Sequence, residues 1–324
     1  NKICDYYSKI NIKIDESQVI VTSGASEALL FTIGSIMDPG DEIIIPEPFY
    51  ANYNGFSVAN GVNIVPIFSS IDNNFELPKI QEFENLISSN TKAILICNPN
   101  NPTGYVYSYD EIKTLVEIVK KHNLFLIADE VYREFTYDDV SHTSIMQFDD
   151  IKQNAIVIDS VSKRYSMCGA RIGCIISKNS EFISTAMKFA QARLSPPTLA
   201  QIASTAAMDT GEDYFKKVIN EYNDRRKTLV EGLNKIPGLK VSEPKGAFYC
   251  VVELPVNNSE HFAKWLLEEY SLNNETIMVA PAAGFYSTPN IGQNQVRIAY
   301  VLNQSDLKSC IDILKNGLME YLKQ

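Results

Sequence analysis

The chain has 324 residues, 45% of them hydrophobic and 21% charged, with a formal net charge of −10. Those proportions are ordinary for a soluble globular protein, and the length exceeds what one hydrophobic core usually serves. The acidic balance argues against a nucleic-acid surface on this segment, because phosphate binding relies on clustered Lys and Arg, and no apolar run approaches the ~18 residues that span a bilayer.

No signal peptide is recognisable, and the expectation is a cytoplasmic protein acting on small molecules, without nucleic-acid or membrane partners. The six cysteines (Cys4, Cys97, Cys168, Cys174, Cys250, Cys310) are scattered, which fits free thiols in a reducing compartment. None of the three histidines pairs at i and i+4, so no metal site is expected. The chain opens at Asn1 in a running helical pattern (Ile3, Tyr6, Tyr7, Ile10), so a further N-terminal segment is expected to precede it.

From about residue 18 to 176, β-rich runs alternate with helix-like stretches. The runs are VIVT (19–22), EIIIP (42–46), NIVPI (63–67), AILIC (93–97), LFLIA (124–128), AIVID (155–159) and IGCII (172–176). Most are apolar throughout, as strands covered on both faces should be. With helical stretches such as SEALLFTIGSIM and YDEIKTLVEIVKKH between them, they predict an α/β fold. Its large domain would be a three-layer αβα unit around a mostly parallel seven-stranded sheet. About twelve residues separate the last two runs, without a clear helix, which is short for a parallel crossover; one antiparallel strand is expected.

After Pro197 the texture changes. A polar amphipathic helix is predicted from Asp213 to about Lys235, closed by Pro237-Gly238. AFYCVVEL (247–254), a helix near HFAKWLLEEY, short strands IMVA (277–280) and VRIAY (296–300), and a helix from about Ser305 complete a smaller α+β unit. The expected division is a large domain over residues 1–218 and a small C-terminal domain over 219–324.

In open α/β sheets, ligands bind beyond the carboxyl ends of the strands. The residues just past successive runs are TSGASEAL, EPFYANY, NPNNPTG, DEVY and SVSK, so polar groups gather at one rim. Each has a bland reading alone. Lys163 reads as a solvated lysine, yet Ser160 and Ser162 precede it and Arg171 follows, a grouping that could hold an anion beside an amine able to form a Schiff base. Asp129 ends an apolar run, where a carboxylate is costly without a partner. It is either a capping or salt-bridging residue or the counter-ion of a protonated ring nitrogen. Asn101 lies in turn sequence, and Tyr50 and Tyr132 could be core. TSGASEAL offers amides at a helix start, a general anion site; it misses the hydrolase elbow G-x-S-x-G at Ala28. Arg297, within VRIAY, calls for a carboxylate to fork.

Taken in order, NPNNPTG, ADEVY, SVSKRYSMCGARIG and VRIAY resemble the fold-type I aminotransferases that use pyridoxal 5'-phosphate (PLP), in particular the class I/II group that includes aspartate aminotransferase. The resemblance covers nearly the whole chain and implies roles for the matching residues. Lys163 would form the Schiff base and move the proton. Asp129 would pair with the ring nitrogen, Asn101 and Tyr132 would bond the phenolic oxygen, and Tyr50 would stack on the ring. Ala25, Ser26, Ser160 and Arg171 would hold the phosphate. Arg297, beside Asn101, would clamp the substrate α-carboxylate. Arg193, in QARLSPPT, would reach an acidic substrate's side chain across a homodimer interface; a structural salt bridge is the alternative. The family's N-terminal arm, with part of its smaller domain, is not found in this sequence. Two other readings stay open: a PLP-dependent lyase or decarboxylase of the same fold, and the PLP-sensing domain of a winged-helix transcriptional regulator.

Overall fold

The computed structural model describes residues 1–324. The predicted runs form one sheet: β1 (Val19–Thr22), β2 (Glu42–Glu47), β3 (Asn63–Phe68), β4 (Thr91–Cys97), β5 (Phe125–Asp129), β6 (Ala155–Ser160) and β7 (Gly173–Ile176). Its order is β1-β7-β6-β5-β4-β2-β3. β2 to β6 pair in parallel, whereas β7 runs antiparallel to both β1 and β6, the one reversed strand that the short connection predicts.

The uninterrupted apolar runs follow from burial on both faces. In β4, Ala93, Leu95 and Cys97 point into one core, shared with α2 (Ala25–Ile36), α3 (Asn52–Ala59) and α7 (Ser180–Arg193). Ile94 and Ile96 point into the other, shared with α1 (Lys2–Lys9), α4 (Ile80–Leu86) and α5 (Tyr109–His122). Period-two alternation assigns the two sets. α5 starts at a capping box in which the Ser108 hydroxyl accepts from the Glu111 amide, and it buries Ile112, Leu115, Val116, Ile118 and Val119.

Between β6 and β7 lie a single turn, α6 (Val161–Arg164), and a 3₁₀ turn at Cys168–Ala170. After α7 come α8 (Thr198–Ala207) and α9 (Glu212–Leu233). α9 ends two residues before the expected Lys235, and the expected division at 218/219 falls inside it. Next come β8 (Lys240–Val241), β9 (Tyr249–Glu253), α10 (Ser259–Glu268), β10 (Ala280–Pro281), β11 (Gln295–Ala299) and α11 (Gln304–Tyr321). The four strands form an antiparallel sheet in the order β10-β11-β9-β8. The run IMVA is not the strand its composition predicts. Only Ala280 and the following Pro281 pair with β11, while Ile277 and Val279 are buried in the core without strand partners. No helix is long and apolar enough to cross a membrane.

Candidate active site

The parallel strands end at a common rim, and the reversed β7 begins there. Gly173, at its start, is paired with Thr22 at the end of β1 and with Ser160 at the end of β6. This register carries Arg171, two residues upstream, to the start of α2. The approach is close: a β-carbon at Gly173 would lie 2.6 Å from the Gly24 carbonyl carbon and 2.7 Å from the Ala25 nitrogen. Gly24 caps α2 at φ 85°, and a β-carbon there would collide with the Arg171 guanidinium. Both glycines therefore let a cation lie against the open amides of a helix start, a cradle for an anion.

A cavity of about 310 Å³ opens over this rim, and its lining includes every candidate residue from the sequence except Arg193. Ser160 and Ser162 share a hydrogen bond of 2.8 Å, and Ser160 Oγ also donates to the Ile172 carbonyl at 2.9 Å. Lys163 Nζ lies 5.9 Å from the centroid of the Tyr132 ring. Tyr50 is half buried, edge-on to Tyr53 at 5.5 Å.

Asp129 is buried at the floor, where desolvation pushes its carboxyl up to about 6. Tyr53 Oη donates to Asp129 Oδ2 at 2.9 Å, and the Val131 amide donates to Oδ1 at 3.4 Å; both favour the carboxylate but do not offset its burial. A cation at this position would.

On the opposite wall, Arg297 Nη1 donates to Asn101 Oδ1 at 3.0 Å, and its guanidinium lies over the rings of Tyr249 and Phe285. Tyr249 Oη is 3.1 Å from Tyr132 Oη. Burial pushes both hydroxyls up, so both keep their protons at neutral pH.

Beneath the Lys163 turn lies a buried charge network. Arg164 Nη2 donates to both oxygens of Asp159, at 2.7 and 2.9 Å, and Nε donates to Glu134 at 2.7 Å; Tyr7 Oη of α1 donates to Asp159 at 3.0 Å. Arg133 pairs with Glu130, which also accepts from Ser144 Oγ and the Ile145 amide.

Sequence reasoning missed Tyr249 and Tyr53. Tyr53 carried a signal, since it follows Tyr50 at helical spacing; nothing local singled out Tyr249. Arg193 lies away from this cavity, at the end of α7. It pairs with Glu27 at 3.0 Å and donates to the Val21 carbonyl at 3.1 Å.

A buried carboxylate that favours a cation, an anion cradle and the Lys163 amine line one cavity, which suits a ligand carrying both an anion and a cation. The comparisons decide which. The family model of aminotransferase class I and II matches residues 1–314. The chain belongs to that family. Aspartate aminotransferase of Pyrococcus horikoshii is 32% identical over 321 residues, covering 98% of this chain and 79% of that protein. The putative aminotransferase YugH of Bacillus subtilis is 35% identical over 307 residues, covering 94% of this chain and 76% of that protein. Among solved structures, aspartate aminotransferase from Thermotoga maritima superposes with a TM-score of 0.88 at 30% identity, covering 98% of this chain and 80% of that one. The aromatic aminotransferase of Pyrococcus horikoshii gives 0.90 at 27%, covering 99% and 85%. The protein is a PLP-dependent aminotransferase of fold type I. Its residues fit the cofactor: the Asp129 carboxylate, carrying only hydrogen bonds, suits a protonated ring nitrogen, and the cradle at Gly24 and Arg171 suits a phosphate.

Proposed function

We propose that this enzyme moves the amino group of aspartate, or a similar acidic L-amino acid, to a 2-oxo acid such as 2-oxoglutarate in a ping-pong cycle. The observation that carries the reading is the gathering of Lys163, Asp129, Arg171 and Arg297 around one cavity. Relatives named aspartate aminotransferase supply the donor. When bound, the cofactor accepts the electron pair released at the substrate's α-carbon.

The chain's own residues do the rest. Asp129 holds the ring nitrogen in its charged form, Tyr50 covers the ring, and Asn101 and Tyr132 bond its phenolic oxygen. Ala25 and Ser26 at the α2 start, with Ser160 and Arg171, hold the phosphate. Lys163 Nζ anchors the cofactor and serves as the base that takes the proton from the donor's α-carbon, a contribution of ~10² to 10⁴-fold. Arg297 receives the α-carboxylate.

The donor's second carboxylate calls for another cation. Arg193 is assigned to it in a homodimer; its Nε and Nη1 have no partner but are buried within its own chain, so the side chain must leave Glu27 and the Val21 carbonyl to reach the neighbouring subunit. Exposed apolar side chains nearby, Leu194, Leu199 and Ile202, support that dimer. The unpaired cysteines agree with a cytoplasmic setting. The large and small domains divide near residues 218/219, within α9.

The test is a pair of half-reactions. Protein loaded with PLP should change its absorbance to that of the amine form on adding L-aspartate and recover it with 2-oxoglutarate. A band that responds to other amino acids but not to aspartate would refute the acidic donor. An Arg193→Ala variant that kept the same preference for aspartate over alanine would remove the role given to Arg193.

A further inference from the structure

The smaller sheet sends two side chains into the cavity, and Tyr249 is one for which the proposed chemistry has no part. In the pairing of β9 with β11, Tyr249 is opposite Ala299 and Val251 is opposite Arg297. Tyr249 and Arg297 are therefore diagonal neighbours on one face of the sheet. Arg297 Cζ sits 4.5 Å from the Tyr249 ring centroid, and Tyr249 Oη is 3.1 Å from Tyr132 Oη. One tyrosine thus touches both the carboxylate clamp and a residue at the cofactor ring.

The direction of the hydroxyl pair matters. Tyr132 has a single proton. If Tyr132 gave it to Tyr249, none would be left for the cofactor's phenolic oxygen; if Tyr249 donates, the Tyr132 proton is free to point into the cavity. The Arg297 cation over the Tyr249 ring favours the second arrangement, because a nearby positive charge makes an O–H a stronger donor. A hydroxyl that accepts one hydrogen bond also donates more strongly in its own.

We propose that Tyr249 is a positioning residue of the transamination site: its ring is the platform that holds Arg297 where the substrate carboxylate arrives, and its hydroxyl donates to Tyr132, turning the Tyr132 proton toward the cofactor. The proposal rests on the roles given above to Tyr132 and Arg297. It predicts that loss of the Tyr249 hydroxyl weakens the Tyr132 hydrogen bond to the ring oxygen. Negative charge on that oxygen is then less stabilised, and the proton shared near it is held to higher pH.

The test uses the full chain loaded with PLP, as wild type, Y249F and Y249M. Borohydride reduction of wild type, followed by peptide mass mapping, should find the cofactor fixed to Lys163. Y249F keeps the ring, so its KM for the donor should stay within about twofold of wild type. The pH midpoint of its cofactor absorbance change should rise by about half a unit to one unit, the effect of one lost hydrogen bond. Y249M lacks the platform as well, and its KM should rise about three- to tenfold. An unchanged midpoint in Y249F, with the cofactor still fixed to Lys163, overturns the hydroxyl's role. A KM for Y249M equal to that of wild type overturns the platform. A wild type with no cofactor on Lys163 overturns the site reading and this inference with it.

Discussion

Asp129 and Arg164 are two buried charges that respond oppositely to their surroundings. The Asp129 carboxyl is raised from the ordinary 3.8 to about 6 by burial, so the folded apoprotein binds its proton more tightly than the unfolded chain does. Its favourable contribution is complete below the unfolded value and is lost as pH rises through about 6. Wild-type apoprotein should therefore lose about 2 kcal/mol relative to Asp129→Asn between about pH 4 and about pH 7. Urea midpoints of both proteins across that range measure it, and a constant difference would refute it. Saturating PLP should flatten the curve, since binding supplies the cation that Asp129 lacks. Arg164 is 2% exposed and shared by Asp159 and Glu134. Arg164→Ala leaves the buried Asp159 carboxylate and the partly buried Glu134 without their cation and should cost about 3–5 kcal/mol. Adding Asp159→Asn should recover part of that loss in the same urea assay; a double variant as unstable as the sum of the two singles would show that the pair is not coupled.

At the scale of elements, the proposed phosphate cradle depends on how closely β7 approaches α2. Gly24 has a positive φ, and the Arg171 guanidinium fills the space a side chain would take. Gly24→Ala should destabilise the apoprotein by about 1–2 kcal/mol and weaken PLP binding about tenfold by displacing Arg171. Cofactor titration followed by absorbance, beside urea unfolding, separates the two effects; unchanged affinity would place the phosphate elsewhere. The cradle was legible in the sequence because its parts sit at strand ends, where TSGASEAL and SVSK stand out against apolar runs. The pairing of Arg164 with Asp159 and Glu134 was not, because Glu134 lies 30 residues away and only the packing of β5 beside β6 brings it near. IMVA was misread for a related reason: β-rich composition reports that a segment will be buried, not that a neighbouring strand has a free edge for it.

For the whole molecule, the exposed faces of α8 and the α7–α8 connection are the informative surface. Leu194, Leu199 and Ile202 are 76%, 83% and 63% exposed, apolar side chains that the proposed homodimer would cover. Leu199→Glu combined with Ile202→Glu should convert the proposed homodimer to a monomer in analytical ultracentrifugation and lower aspartate turnover, if Arg193 serves the neighbour's site. A wild type that already sediments as a monomer at micromolar concentration would refute the dimer.

The sequence by itself determined the seven strands of the large sheet in chain order, the reversed strand and the residues at the rim, because these depend on local periodicity and on where apolar runs stop. Lys163, Asp129 and Asn101 stood out as candidates for that reason and Arg297 as an arginine within a strand-like run, while their roles came from the family resemblance. The tertiary structure alone decided how strongly Asp129 is desolvated, that Arg193 is tied to Glu27 within its own chain, and that Tyr249 meets Tyr132 across 117 residues of chain. Desolvation and side-chain contact depend on what distant segments bring to the same place, and no local pattern in the sequence records that.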